Sequence, residues 1–267
     1  EDLFNMTKKM FAQVLAVYDD HKVAQPGMLG FCTDSPNGNK GLRKRLLEDA
    51  NSADSLFKDK LLVVYGCSCY ALNNHGKDVC KLGAIKIIIE KAKVIAKVFR
   101  NVKMCRFHLQ RQQKIDNQGK TFQIVMPVET RWMYILSLLQ SLKRTETSLK
   151  RMYRRSLAGD LGSPEIDLNQ EFGGEKDSLG EDGKPLSVGD IIQDREFWEQ
   201  LDALIWLLQP ISFCVHLLES DMMPISTVPA SFVYLYRFYR AVEAGSHDTK
   251  LSLLGLRIDN FRRTTDL

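Results

Sequence analysis

Two short apolar runs separated by a helical interval do most to limit the folds open to this chain. Leu61 to Tyr65 reads LLVVY, a continuous β-rich stretch closed by Gly66, which is how a buried strand is written. Met28 to Cys32 is a similar run, too short for a helix and preceded by the turn signal QPG at Gln25 to Gly27. Between the runs, TDSPNGNKG (Thr33 to Gly41) opens a helix through Leu42, Leu46 and Leu47. A first helix precedes them, with Leu3, Met6, Met10, Val14 and Val17 predicted as its core-facing side. This order predicts neighbouring parallel strands joined by helical crossovers. Functional side chains of such sheets collect at the carboxyl ends of the strands, here Thr33-Asp34 and Gly66-Cys67.

The rest reads as helix. From Ile85 to Phe107, the positions Ile85, Ile88, Ala92, Ile95, Phe99 and Val102 mark one apolar face of a single amphipathic helix. Lys86, Lys91, Lys93, Lys97, Arg100 and Lys103 occupy much of the remainder. Thr130 to Leu157 predicts a second long helix, with Ile135, Leu138, Leu142, Leu149 and Met152 inward. Its last turn carries Arg154 and Arg155, which suits the negative end of the helix dipole. Ser156 to Gly189 shows no periodicity and reads as a long loop or linker. Phe197, Leu201, Leu204, Ile205 and Leu208 restart a helix that Pro210 is expected to kink or end. A final helix runs through Phe232, Leu235, Tyr236 and Tyr239. The expected fold class is α/β followed by all-α.

Charge is distributed unevenly. The net charge of +4 names no partner. Between Lys81 and Lys120, however, eleven Lys or Arg face only two acids, Glu90 and Asp116. From Asp160 to Lys184 the balance reverses, with eight acids and two lysines. One basic surface and one solvated acidic segment are expected. No uninterrupted apolar run approaches the ~20 residues of a membrane helix, so no membrane partner is expected. Six irregularly spaced cysteines read as reduced intracellular thiols rather than a disulfide framework. A chain that begins at Glu1 is also expected to be an excerpt of a longer one.

Several constellations admit two readings. Asp34 stands where a carboxylate can hold Mg²⁺, or where it or Ser35 caps the following helix. Cys67, Cys69, His75 and Cys80 supply zinc-type ligands or a thiol with a base, or else pack as small apolar groups. The lysine-rich helix face either contacts a polyanion or is simply solvated. Thr130-Arg131-Trp132 either engages a phosphate and stacks on an exposed base, or caps a helix and buries its indole. GxGxxG, P-loop, HExxH and GxSxG patterns are absent from the sequence, so no nucleotide cofactor is expected.

Taken in order, these motifs resemble the middle portion of hAT-superfamily DNA transposases. TDSPNGNKG resembles the family's TDN-like strand end, GCSCYALNNHGKD (Gly66 to Asp78) its GCxxHxLNLxxKD motif, and Thr130-Arg131-Trp132 its TRW motif. Trp198 to Glu219 follows a W..L..LL.P...LE pattern. The resemblance implies a partial RNase H-like α/β core over residues 1–125, and the TRW segment with a first insertion helix over 126–157. It further implies an acidic loop over 158–190 and the rest of a helical insertion over 191–267. Asp34 would be the second acid of a triad that holds divalent ions for in-line phosphoryl transfer. Arg131 and Trp132, with Lys93, Lys97 and Arg100 of the basic helix, would lie against DNA. Cys67, Tyr70 and Asn73 fall on the second motif, with Tyr70 where the family has His, and Ser35 replaces an Asn.

The family places its first Asp upstream of Glu1 and its Glu beyond Leu267. One carboxylate of three cannot build a two-metal site, so these residues alone are expected to bind DNA without cutting it. Mg²⁺ is expected only where segments outside this chain complete the triad. The alternative expectation is a helical protein-interaction module with no nucleic-acid activity. GLRKRL (Gly41 to Leu46) and KRMYRR (Lys150 to Arg155) fit a nuclear location.

Overall fold

A computed structural model describes the chain apart from residues 1, 23, 25, 34–36, 53, 59, 128–132, 162–186, 221, 225, 243, 245–253 and 255–267. It divides into two compact units, 1–71 and 72–267.

The first unit is α/β. Helix α1 (Leu3–Asp20) is capped by Asp2, whose carboxylate accepts from the Phe4 amide. Strand β1 (Met28–Thr33) is followed by α2 (Asn37–Ala50) and β2 (Leu61–Gly66). The strands pair in parallel, Met28 opposite Leu61 and Thr33 opposite Gly66, as the alternation of apolar runs and helix requires. Phe11, Leu15, Leu29, Leu42, Leu46, Phe57 and Leu62 form a small core. Phe11 meets Phe57 edge-on at 5.2 Å between ring centroids, and Lys8 binds Asp49 at 2.7 Å between α1 and α2.

One prediction fails here. Leu3, Met6, Met10, Val14 and Val17 face outward, each about half exposed, and Thr7, Phe11 and Leu15 are buried instead. Both sets obey helical spacing. A two-stranded sheet offers room for one narrow stripe, and the ring of Phe11 fills it better than methionine and valine do.

Helix α3 (Ser68–Cys80) contains the division between the units. The second unit is helical: α4 (Gly83–Asn101), α5 (Lys103–Asp116), α6 (Tyr134–Leu157), α7 (Val188–Gln193), α8 (Arg195–Leu218) and α9 (Thr227–Ala241). Helix α6 packs against α4, α5, α7 and α8. Its predicted inward residues Ile135, Leu138, Leu142, Leu149 and Met152 are all buried. The contacts group α4 and α5 with the later helices.

The single helix predicted from Ile85 to Phe107 is two. Val102 has an extended backbone (φ −88°, ψ 105°) and separates α4 from α5. Asn101 and Val102 are both weak helix formers, and the break leaves Phe107 largely exposed. Pro210 does not end its helix. α8 continues to Leu218, because Ile211, Cys214 and Val215 beyond the proline are buried in the same core as Leu204 and Leu207 before it. α8 is long and apolar enough to cross a membrane by composition, but 56% of that apolar window is buried within the protein.

Between α5 and α6 the chain crosses the helices in a segment without regular structure. The buried Gln113 amide holds it at both polar groups of one residue: it accepts from Phe122 N–H at 2.9 Å and donates to Phe122 C=O at 3.0 Å. Ser141 Oγ accepts from Val125 N–H at 2.9 Å. Exposure alternates from Thr121 to Met126 with the two-residue period of an extended chain.

Candidate nucleic-acid interface

Helical spacing brings the candidate residues together. On α3, Asn73, Gly76, Lys77 and Cys80 recur at three- and four-residue steps and so share one face, which Lys81 continues in the turn just past the helix. Lys86, Ile89, Glu90 and Lys93 do the same on α4. With Met133, Tyr134 and Ile135 at the start of α6, these two faces enclose a groove of about 530 Å³.

The corner of the groove is tightly specified. Asn73 is buried, and its Oδ1 accepts from the Met133 N–H at 3.4 Å. Met133 adopts a left-handed backbone (φ 46°) at the N-cap of α6, which costs a non-glycine residue roughly 1–2 kcal/mol. Its side chain lies against Gly76, where an added Cβ would stand 3.0 Å from the Met133 sulfur. Glycine is what allows that approach.

The groove is basic. Four lysines and one glutamate line it. Lys81 pairs with Asp78 at 2.7 Å and Lys93 with Glu90 at 2.8 Å. Lys77 and Lys86 have no acidic partner among the described residues. Lys86, Glu90, Lys93, Lys97 and Arg100 continue as one line along α4, spanning about 21 Å at 1.5 Å per residue. Lys91 is not part of this surface; it turns to Asp194, the N-cap of α8, at 3.2 Å.

Among the described residues, the sulfur and imidazole groups form no cluster of three. Burial pushes the Cys80 thiol up to about 12, so it is not a thiolate at neutral pH. His75 places Nε2 3.2 Å from the hydroxyl of the buried Tyr239, and burial holds its pKa below the usual value. Cys67 N–H donates to the Thr33 carbonyl at 2.6 Å, at the ends of the paired strands. Partial burial, then the neighbouring Cys67, push the Cys32 thiol up. No group of three His, Cys, Asp or Glu able to hold a metal occurs among the described residues.

Of the residues singled out from sequence, Asn73 and Lys93 meet in the groove. Lys97 is exposed farther along α4, and Arg100 lines a separate groove at its end. Cys67 and Tyr70, both half-buried, lie at the entrance to and in the first turn of α3. Asp34, Arg131 and Trp132 lie outside the described residues. Lys77, Lys81 and Gly76 were not singled out, although their spacing from Asn73 marks one helical face. Comparison with protein-family models, with curated proteins and with solved structures finds no match for this chain.

Proposed function

We propose that this chain derives from a hAT-superfamily DNA transposase, with residues 1–125 corresponding to part of an RNase H-like core, and that it binds DNA through the lysine groove. The observation that supports this best is the coupling of two motifs distant in sequence. Asn73 and Gly76 of the GCSCYALNNHGKD segment bond and pack against Met133, the residue directly after Thr130-Arg131-Trp132. The basic groove opens at that junction. Order also supports the reading, since β1 ends at Thr33, the residue before Asp34, and runs parallel to β2, which ends at Gly66, before Cys67. DNA affinity without cleavage is the activity proposed for these residues. A complete Mg²⁺-dependent enzyme would need the two further acids from segments outside them, and a nuclear location follows from the same ancestry.

The test is binding to a fluorescent duplex and a hairpin, titrated with salt. Lysine contacts to phosphate predict an affinity that falls steeply with salt, with a log–log slope near −0.9 per contact. Lys77→Glu with Lys86→Glu should weaken both substrates, and Trp132→Ala the hairpin selectively. No binding at low salt sinks the proposal.

A second reading has one observation of its own. Phe213 of α8 and Phe232, Tyr234 and Tyr236 of α9 are exposed, and exposed aromatics are enriched at protein interfaces. In that case the helical unit is an interaction module, and the lysine groove is merely solvated.

A further inference from the structure

We propose that Cys32 and Cys67 are a redox pair that closes a disulfide across the ends of β1 and β2 on reaction with a small disulfide such as oxidised glutathione. The inference is independent of DNA binding and rests on three features of the α/β unit.

The first is register. Cys32 stands opposite Tyr65 in the parallel pair, and alternate residues of a strand share a face. Cys67 extends the ladder by one residue, its N–H bonded to the Thr33 carbonyl at 2.6 Å. Cys32, Tyr65 and Cys67 therefore project from the same side of the sheet. The two thiols lie within hydrogen-bonding reach of each other, and both act on the Tyr65 hydroxyl. A disulfide demands such proximity, since bridged Cβ atoms stand only about 3.5–4.5 Å apart.

The second is access. Cys32 is exposed and Cys67 half-buried, whereas Cys69, Cys105 and Cys214 are buried. Cys80 is half-buried too, but it belongs to the wall of the lysine groove and its thiol is pushed up to about 12. A dissolved oxidant thus meets Cys32 first.

The third is freedom to close. Cys67 belongs to neither β2 nor α3, so a small movement there leaves the six paired residues of each strand in place.

The reaction is two exchanges. The Cys32 thiolate attacks one sulfur of oxidised glutathione, forming a mixed disulfide. The glutathione thiolate released takes up the proton that Cys32 gave up. The Cys67 thiolate then attacks the Cys32 sulfur and expels a second glutathione, which is protonated in the same way. Two protein thiols lose two electrons and two protons, and one oxidant molecule becomes two thiols. Burial and the neighbouring Cys67 push the Cys32 thiol up while Arg43 pulls it down. Attack proceeds through the thiolate fraction that remains.

The experiment incubates the full, reduced chain with oxidised glutathione, quenches it with acid, alkylates free thiols and reads intact mass and peptide maps. Four alkylated thiols are expected in place of six, with Cys32 linked to Cys67, and excess reduced glutathione should restore all six. Amide exchange of β1 and β2 should slow at least tenfold in the oxidised chain, because the link constrains the unfolded state. Cys67→Ser should hold the glutathione adduct on Cys32, and Cys32→Ser should slow modification of Cys67 at least tenfold. If either variant melts early, the wild-type time course reads the same order, with the adduct on Cys32 in early samples and the link in later ones. A glutathione adduct that persists in the wild-type chain, a link to any other cysteine, or six thiols left after incubation overturns the proposal.

Discussion

The two units solve the same burial problem with unequal means. Among its described residues the α/β unit gathers seven buried apolar side chains, while the helical unit gathers thirty-nine in one continuous core. In the first unit, α1 turns an entire apolar stripe to solvent. In the second, even a proline is absorbed in mid-helix. The difference follows from geometry. A two-stranded sheet can be covered by few side chains, whereas α6 is packed by four other helices.

The comparison is most sharply tested by the same substitution in both units. Leu138→Ala, at a fully buried position of α6, should cost about 3–5 kcal/mol and lower the urea midpoint of the helical unit. Leu46→Ala, equally buried in α2, should cost about 2–3 kcal/mol. Its effect should be confined to amide exchange of β1, β2 and α2. Equal loss of protection throughout the chain would break the distinction.

Gln113→Ala should cost about 2 kcal/mol, since it strands both polar groups of Phe122. Amide exchange at Phe122 would report it directly.

Acidification should act on the helical unit. Burial lowers the pKa of His75 against an upward pull from Asp78, and it lowers that of His108, with Arg111 and Arg155 adding to the fall. Both ring nitrogens of His108 are buried without a hydrogen bond among the described residues. Neutral rings are therefore favoured in the folded state, and the unfolded chain binds protons first. Stability is complete above about pH 6.5 and declines as pH falls below it. His108→Leu should flatten that decline in a melting series from pH 7.5 to 5.5. An unchanged slope would place the proton uptake elsewhere.

The smallest effect is expected on the outer face of α1. Met10→Gln should change stability by no more than about 0.5 kcal/mol. A loss above 1 kcal/mol in thermal melting would show that this stripe is covered in solution.

How much could be read in advance depended on range. The strands and their parallel pairing were legible because LLVVY and the Met28 run carry an unambiguous β pattern, with a helix between them. The buried side of α1 was not, since Leu3-Met6-Met10 and Thr7-Phe11-Leu15 satisfy the same period and only the neighbouring sheet selects between them. The break at Val102 depends on how α5 meets α6, and no local signal beyond two weak helix formers marks it. Lysines on the α4 surface were legible as charge. The groove was not, because Asn73 and Met133 are sixty residues apart and α3 and α6 had to be packed before they could meet.

The parallel pair of the first unit also bears on how the protein survives in concentrated solution. Among the described residues each strand is bonded on one side only, and Leu61 at the start of β2 is largely exposed. LLVVY is uncharged, β-rich and free of proline, which is the composition of segments that stack between molecules. Lys60 sits directly before it, held to the Pro26 carbonyl at 3.4 Å, and Lys58 is exposed two residues earlier. Such flanking charges discourage intermolecular stacking. Neutralising both lysines should therefore increase deposition of β-rich aggregate on mild warming, before the helices melt.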